Sequence, residues 1–372
     1  MLKIIRFGLA FTAGLALAIV AVAPLDGHHG PTVKFDPNQS ITLEGRVTML
    51  EWTNPHAHIY MVVSEGEGLT PWYIELESPV DLEASGWRRD ALTPGDRITV
   101  RGMASRDGSP QAWGSSIVLT DTGQSVLAVS PPDAVTSSGR PTPRWPDNQP
   151  RLGPPPGESG YWRPRTTVMM EAGVDVPMEA NGQLRDPADA ARVAPFQPWA
   201  LGIYELRQSI YLASDPMYLT CKPPGGPRKF QVTYGVQFVE DRTFERIFFL
   251  NGGGNHDWHF IYTNDRPFRG HGAGDDGNLL YYGQARGRWV ADTFVVESRD
   301  FSEKFWFTNG GLPHTEQLEL TERFTRTDLD TLVYEVMVND PGAYTRPWTA
   351  TWELDWIAGE ELPQYYCQDV RP

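Results

Sequence analysis

Hydrophobic and polar residues alternate in short runs between residues 31 and 125, a pattern typical of strands that bury one face. The runs predict five strands, at residues 41–47, 58–63, 72–76, 97–102 and 116–119. A short helix is predicted between the third and fourth strands, at residues 82–92. Five strands and one helix in about 90 residues indicate a small OB-like barrel, which we assign to residues 27–125.

Residues 126–194 lack this alternation and are rich in proline, glycine, serine and arginine. Proline fixes φ and has no amide hydrogen, so such a stretch forms neither a sheet interior nor a helix. We predict a semi-rigid linker followed by an irregular segment, and we expect proteases to cut between Ser130 and Arg165.

The last segment, residues 195–372, begins with a helical pattern and continues as strands. A helix is predicted at residues 198–213, and its apolar, buried face consists of Trp199, Ile203, Leu206 and Ile210. Hairpins follow from Phe230, where the sequence Asp-Thr-x-Val-x-Glu occurs at both 292–297 and 330–335. The predicted fold class is all-β: an OB-like barrel, then one helix preceding a larger antiparallel, lipocalin-like barrel.

The first 23 residues are typical of an export signal. Lys3 and Arg6 precede an uncharged apolar run at residues 7–23 that ends in Ala-Val-Ala. Pro24 disfavours cleavage, so an uncleaved anchor is the alternative. In both cases we expect the rest of the chain to be periplasmic or secreted. If the signal is cleaved, we expect no stable membrane span.

Composition and charge narrow the classes of partner. The formal net charge is −15 and no long lysine or arginine run occurs, which excludes a nucleic-acid partner. Lysine is found at only five positions, and we interpret this as coding bias. Nucleophile elbows, phosphate-binding loops, dinucleotide fingerprints and His-Glu-x-x-His motifs are absent from the sequence, which disfavours the enzyme classes that use them.

The N-terminal barrel carries several distinctive motifs. They are Gly45-Arg-Val, Glu51-Trp-Thr-Asn-Pro-His56, Gly86-Trp87, Pro94-Gly95-Asp96 and His28-His29-Gly30. On these motifs, residues 27–122 resemble a family of small secreted bacterial domains to which no function is assigned.

Residues 195–370 resemble a second uncharacterised family of secreted bacterial proteins. The matching motifs include Pro198-Trp199, Asp215-Pro216, Gly287-Arg-Trp289, Thr321-Glu-Arg323 and Ala343-Tyr-Thr-Arg-Pro-Trp348. The resemblance implies a fold and export, and it implies no reaction.

Cys221 and Cys367 are the only cysteines. An even pair in an exported chain favours a disulfide, which would join the two ends of the last domain. Two separate buried thiols are the alternative.

A metal site is one hypothesis for the N-terminal barrel. His56 and His58 share a strand face, and His28 and His29 precede them in the chain. Three or four imidazoles suit copper or zinc. Our first expectation, however, is that the protein binds no cofactor. The alternative is a turn at His56 with His58 paired locally.

The histidines and acids at residues 252–277 lie in a glycine-rich stretch that we interpret as a solvated loop. His314 follows a rigid proline, and at a barrel mouth it would act as a general acid or base. Glu322 and Arg323 must point to opposite faces, so one of them enters the barrel, and a buried charge needs a partner. The candidates for that partner are Arg266, Arg288, Arg346 and Asp292. A buried ion pair that fixes the register is the alternative.

Two function classes remain. The leading hypothesis is a binding protein for a small apolar or aromatic molecule inside the C-terminal barrel. Its ligand-binding residues would be Trp289, Trp306, Tyr344, Arg346 and Trp348. The alternative is a cofactor-independent lyase, isomerase or hydrolase. Its catalytic residues would be His314, Glu322, Asp265 and Arg266.

Overall fold

A computed structural model describes residues 34–53, 56–65, 68–84, 86–128, 138–210, 212, 214–217, 221–253, 257–270 and 280–363. Among these residues no helix is both long and apolar enough to span a membrane. Cys221 is buried, and Cys367 lies outside the described residues, so their disulfide stays a prediction.

Six strands form the N-terminal sheet, in the order β3-β2-β1-β4-β5-β6. Their bounds are β1 Phe35–Glu51, β2 His58–Glu65, β3 Gly68–Glu75, β4 Arg97–Ser105, β5 Gln111–Leu119 and β6 Ser125–Ala128. A parallel pairing between β3 and β5 closes the first five strands into a ring. With a helix between β3 and β4, this is the predicted OB-like arrangement.

That helix, α1, spans Pro79–Ala84 and is shorter than predicted. Pro79 suits the first turn of a helix, and Gly86 adopts a φ of +82° just beyond its end. Trp87 and Leu92, which the predicted helix included, lie outside the helix and are buried in the core.

Nine strands form a closed barrel in the order β10-β11-β12-β13-β14-β15-β7-β8-β9. Their bounds are β7 Gly160–Pro164, β8 Val236–Asp241, β9 Arg246–Asn251, β10 Trp258–Tyr262, β11 Gln284–Val290, β12 Thr293–Arg299, β13 Glu319–Arg326, β14 Thr331–Asn339 and β15 Trp348–Ala358. Both echoed motifs lie in hairpins, as predicted. The barrel departs from an antiparallel one at a single place, where β10 and β11 run parallel through one residue pair, Tyr262 and Arg286.

The segment expected to be a linker is part of this barrel. Strand β7 lies within it and pairs with β15 and β8. Trp162 is fully buried, and Trp145 Nε1 donates a hydrogen bond of 2.8 Å to Glu240. From residue 138 onward, therefore, the proline-rich stretch packs on the barrel because its aromatic and aliphatic residues supply a buried face.

The predicted helix, α2, spans Pro198–Ser209 and lies between β7 and β8 in the chain. The expected buried face was wrong: Trp199, Leu206 and Ile210 are exposed. The helix instead buries Ala200, Tyr204 and Gln208. Gln208 decides the orientation because its amide donates to the carbonyl oxygens of Gly182 and Gly310, contacts that an apolar pattern cannot reveal.

Candidate functional site

The interior of the nine-stranded barrel is filled by aromatic side chains. Trp348, Trp352 and Trp356 share the inward face of β15, as their even spacing predicts, and all three are buried. Residues 226–231, which we call the plug, enter the barrel through a 3-10 helix at Gly226–Phe230. The Phe230 ring packs 4.6 Å from the Tyr334 ring, and its carbonyl accepts a hydrogen bond from Trp352. The lumen proposed for a ligand is thus occupied by the protein itself.

A buried ion pair anchors the plug. The Arg228 guanidinium donates to both carboxylate oxygens of Asp215, at 2.8 and 2.6 Å, and its Nε donates to Asn309. Both charged side chains are almost completely buried. The bidentate geometry offsets part of their desolvation cost and fixes the plug in one position.

His314 is a buried residue between β12 and β13. Its Nε2 lies 3.0 Å from the carbonyl oxygen of Phe305, and its ring packs 4.6 Å from the Phe305 ring. Burial lowers its pKa, and the carboxylates that act against this are Asp340 and Glu303. These are the contacts of a core residue, and they do not bring His314 to Glu322.

Glu322 and Arg323 point to opposite faces, as predicted: Glu322 is buried, and Arg323 lies outside with Glu335. The expected partner of Glu322 was wrong. Tyr334 donates a hydrogen bond of 2.8 Å to Glu322, and the charge that acts on it is Lys229. The residues predicted as partners have other contacts: Arg288 pairs with Glu297, Arg346 with Glu171, Asp292 with Arg144, and Arg266 stacks on Tyr262.

The proposed ligand-binding residues do not converge on one pocket. Trp306 is covered by the Arg207 guanidinium, and Tyr344 donates a hydrogen bond to the Pro313 carbonyl. Trp348 is buried in the lumen, Arg346 is exposed, and Trp289 packs on Phe294. Even spacing placed several rings inside the barrel, but it could not tell a filled interior from an open one.

The N-terminal histidines lie beside carboxylates. His56 Nδ1 is 3.2 Å from Glu75, and the His58 ring stacks 4.8 Å from the Tyr73 ring. His28 and His29 lie outside the described residues. Within the described ranges no group of three or more histidine, cysteine or acidic side chains could hold a metal ion. The four-histidine copper or zinc site therefore stays a prediction.

A cleft of about 510 Å³ lies at the parallel junction of β10 and β11, and we call it the seam cleft. Its volume falls in the usual range for small-molecule sites. Gln284 on β11 holds one wall: its amide accepts from the Arg269 N–H at 2.7 Å and donates to the Arg269 carbonyl. Six aromatic rings line the cleft, those of Trp258, Phe260, Tyr262, Phe268, Tyr281 and Tyr282.

Three arginines share the cleft with these rings. Arg266 stacks on Tyr262 at 3.7 Å, and Arg286 lies 4.5 Å from the Phe268 ring while pairing with Glu297. In the part of the chain that the structure describes, Arg266 and Arg269 have no carboxylate partner. Of the predicted catalytic residues, Arg266 thus lies at the cleft, and Asp265 is exposed beside it in the same loop.

Behind the cleft, Lys229 of the plug contacts His259 of β10. Lys229 Nζ lies 3.0 Å from His259 Nε2, and only 4% of the residue is exposed. Burial lowers the pKa of Lys229 to about 8, although Glu322 and Asp257 act to raise it. Burial, together with the Lys229 charge, holds the pKa of His259 well below its usual value. His259 is therefore a neutral ring at neutral pH, and it lines the cleft.

A second pair lies beside the first. Tyr282 donates a hydrogen bond to Asp257, and the Tyr282 ring stacks 5.2 Å from the His259 ring. Burial raises the pKa of Asp257 to about 6, despite the Tyr282 hydrogen bond and the Lys229 charge. Burial also raises the pKa of Tyr282, so its hydroxyl stays protonated. Lys229 and Asp257, whose pKa values lie near neutrality, thus contact His259 and Tyr282, two side chains that line the cleft.

Sequence reasoning missed these four residues. The stretch interpreted as a solvated loop contains β10, and both Asp257 and His259 are partly buried. His256 and His271 lie outside the described residues. One signal was present: Lys229 is one of five lysines in an arginine-rich chain, and it stands between Arg228 and Phe230. The pKa of an amine shifts readily on burial, whereas a guanidinium stays charged, so an arginine could not replace Lys229 here. Coding bias therefore does not explain this lysine.

The chain was also compared with known proteins. No curated protein and no solved structure matches it. A match exists at the level of families, and it covers the OB-like barrel as far as β5. Residues 15–114 are similar to a family described as a family of unknown function, DUF6152.

Proposed function

We propose that the protein is a binding protein for a small aromatic molecule with an anionic group, held in the seam cleft. The observation that carries the proposal is the presence of six rings and three arginines around one volume of about 510 Å³. Aromatic walls favour a flat apolar ligand. A guanidinium binds a carboxylate through two parallel hydrogen bonds, which selects an anion among flat molecules.

This location replaces the barrel lumen, because the plug fills the lumen. A second hollow of about 250 Å³ lies nearby, lined by Arg299, Asp300, Glu316, Gln317, Leu318 and Glu319. Its acidic side chains would repel an anion, and it has no aromatic wall. The seam cleft therefore suits the proposed ligand better.

The charge of the whole molecule adds to this selectivity. A net charge of −15 repels small anions from most of the surface, whereas the guanidinium groups of Arg266 and Arg269 attract them at the cleft. Binding should therefore weaken as salt screens the guanidinium charges. The apolar run at residues 7–23 supports export, so we place this binding in the periplasm or outside the cell.

Calorimetric titration with 2-naphthoate and with 2-naphthalenemethanol tests the proposal, because the two ligands share a ring system and differ in charge. We expect the acid to bind and the alcohol to bind at least tenfold more weakly. The variants Arg266→Gln and Arg269→Gln should each raise the Kd of the acid by roughly tenfold, about 1.4 kcal/mol.

Arg323→Gln is the matched control, since Arg323 lies on the outside of β13 and pairs with Glu335. It should leave the Kd unchanged. Equal affinity for acid and alcohol, or equal effects of all three arginine variants, would contradict binding of an anion at the seam cleft.

A further inference from the structure

The two pairs behind the seam cleft are unusual for a site that only binds. Lys229, Asp257 and Glu322 bring three ionisable side chains into or against an aromatic interior, where desolvation opposes their charged forms. The two groups whose pKa values lie near neutrality do not themselves line the cleft. Each contacts it through one side chain, Lys229 through His259 and Asp257 through Tyr282.

We propose that these two pairs catalyse proton transfer on an aromatic 2-oxo acid bound in the seam cleft. Asp257 accepts a proton through Tyr282, and Lys229 donates a proton through His259. The inference rests on the proposed binding of an aromatic anion in the same cleft and adds a reaction to it.

The step is an enolisation that needs no co-reactant. The benzylic C–H bond breaks, and its electron pair forms a carbon–carbon double bond to the carbonyl carbon. The carbonyl π pair moves to oxygen, which takes the N–H proton of the His259 ring. Lys229 Nζ lies 3.0 Å from Nε2 and 3.3 Å from Nδ1 of that ring, and it passes its own proton to the ring in exchange. The benzylic proton goes to the Tyr282 oxygen as the phenol proton moves to Asp257. Proton exchange with water restores both pairs.

The substrate class follows from the cleft. The rings would pack against an aryl group, and Arg266 and Arg269 would donate hydrogen bonds to a carboxylate. A carbonyl between the two makes the adjacent C–H acidic and provides the oxygen that receives a proton. The ring stacking of His259 on Tyr282, at 5.2 Å, brings donor and acceptor to neighbouring positions along the same wall.

The protonation states match the roles between about pH 6 and pH 8, the values to which burial shifts Asp257 and Lys229. In this interval Asp257 is ionised and Lys229 is charged. The other titratable groups around them are Glu322, which acts on Lys229 and bonds to Tyr334, and the neutral His259. The activity should therefore follow a bell-shaped pH profile with limbs near these two values.

Deuterium exchange at the benzylic carbon of phenylpyruvate, followed by proton NMR in D₂O, tests the inference on the full chain. Rates are extrapolated to zero buffer concentration so that the protein's own catalysis is measured. We expect exchange roughly 10²-fold or more above the background, bell-shaped in pH. Tyr282→Phe and His259→Gln should each lower the rate at least tenfold.

Variants of the inner residues give a result that a structural role would not. Asp257→Asn should remove the acidic limb of the residual profile, and Lys229→Met should remove the alkaline limb. Lys304→Met is the matched lysine control, because Lys304 is exposed and distant in the chain, and it should exchange like the unmodified protein.

Two outcomes separate this inference from the proposed function. Phenylpyruvate that binds, yet exchanges at the background rate between pH 5 and 9, overturns proton transfer and leaves binding intact. Phenylpyruvate that does not bind at millimolar concentration, while 2-naphthoate does, overturns proton transfer alone, and failure of both acids to bind overturns both proposals. Because Tyr282→Phe changes only a hydroxyl group, an unchanged rate in this variant also overturns the inference.

Discussion

Lys229 places a charge inside an aromatic core, and Asp257 lies close to it. Burial lowers the pKa of Lys229 from 10.5 to about 8, so between these values the unfolded chain binds a proton that the folded chain has released. Stability must therefore rise with pH through that window. The pKa of Asp257 rises from 3.8 to about 6, so its effect is the reverse: stability falls as the pH increases across that range.

Lys229→Met isolates the first effect. Between pH 7 and 9.5 we expect the free energy of unfolding of the unmodified protein to gain roughly 2 kcal/mol relative to the variant, because the variant has no amine to desolvate. Urea unfolding at a series of pH values measures it. Parallel curves for the two proteins would contradict a buried, titrating Lys229.

His314→Gln distinguishes a core histidine from a catalytic one. The substitution removes the contact with the Phe305 carbonyl and part of the ring packing. We expect a loss of about 1–3 kcal/mol, seen as a lower Tm, with proton exchange per folded molecule unchanged. Loss of exchange at an unchanged Tm would instead restore the catalytic hypothesis for His314.

At the scale of elements, the plug depends on a close approach of backbone to ring. A Cβ atom added at Gly225 would lie 2.2 Å from the Phe305 ring. Gly225→Ala should therefore destabilise the protein by roughly 1–3 kcal/mol, measured by thermal or urea unfolding.

Gly202 in α2 provides the matched control, since an added Cβ there meets nothing within 4 Å. Gly202→Ala should be neutral or stabilising by about 0.5–1 kcal/mol, because alanine favours a helix. Equal effects of the two substitutions would mean that Phe305 moves aside and that the plug is not tightly seated.

Strand existence was predictable from the sequence because each strand carries its own alternation, as in β11 to β14. The helix face and the site were not. Trp199 and Leu206 follow the pattern of a buried stripe, yet hydrogen bonds from Gln208 turn the helix the other way. Lys229 and His259 are 30 positions apart and meet only because the plug turns into the barrel. Such contacts depend on tertiary placement, which periodicity does not encode.

At the scale of the whole molecule, the proline-rich stretch connects the two barrels and belongs largely to the second one. Ser138 donates two hydrogen bonds to Asp330, and the Arg140 guanidinium pairs with Glu158. Thr142 donates to the Arg326 carbonyl. Proline-rich composition therefore does not make this stretch a free spacer.

These contacts should protect the stretch from cleavage in limited proteolysis. We expect residues 138–165 to resist cleavage and to be retained with the C-terminal barrel. Terminal sequencing or mass spectrometry of the fragments identifies the cut. Early cleavage after Arg144 or Arg151 would show that the stretch detaches from the barrel more readily than its hydrogen bonds imply.

The strand count has a consequence for where chemistry is located. Directions around a closed ring can alternate at every junction only if the number of strands is even, and this ring has nine. In a ring of nine strands at least one pair of neighbours must therefore be parallel, and parallel neighbours cannot be joined by a tight hairpin. In this barrel the parallel neighbours are β10 and β11, which are joined by a single residue pair. A tenth strand inserted at that junction would satisfy parity and at the same time close the opening through which a ligand reaches His259 and Tyr282.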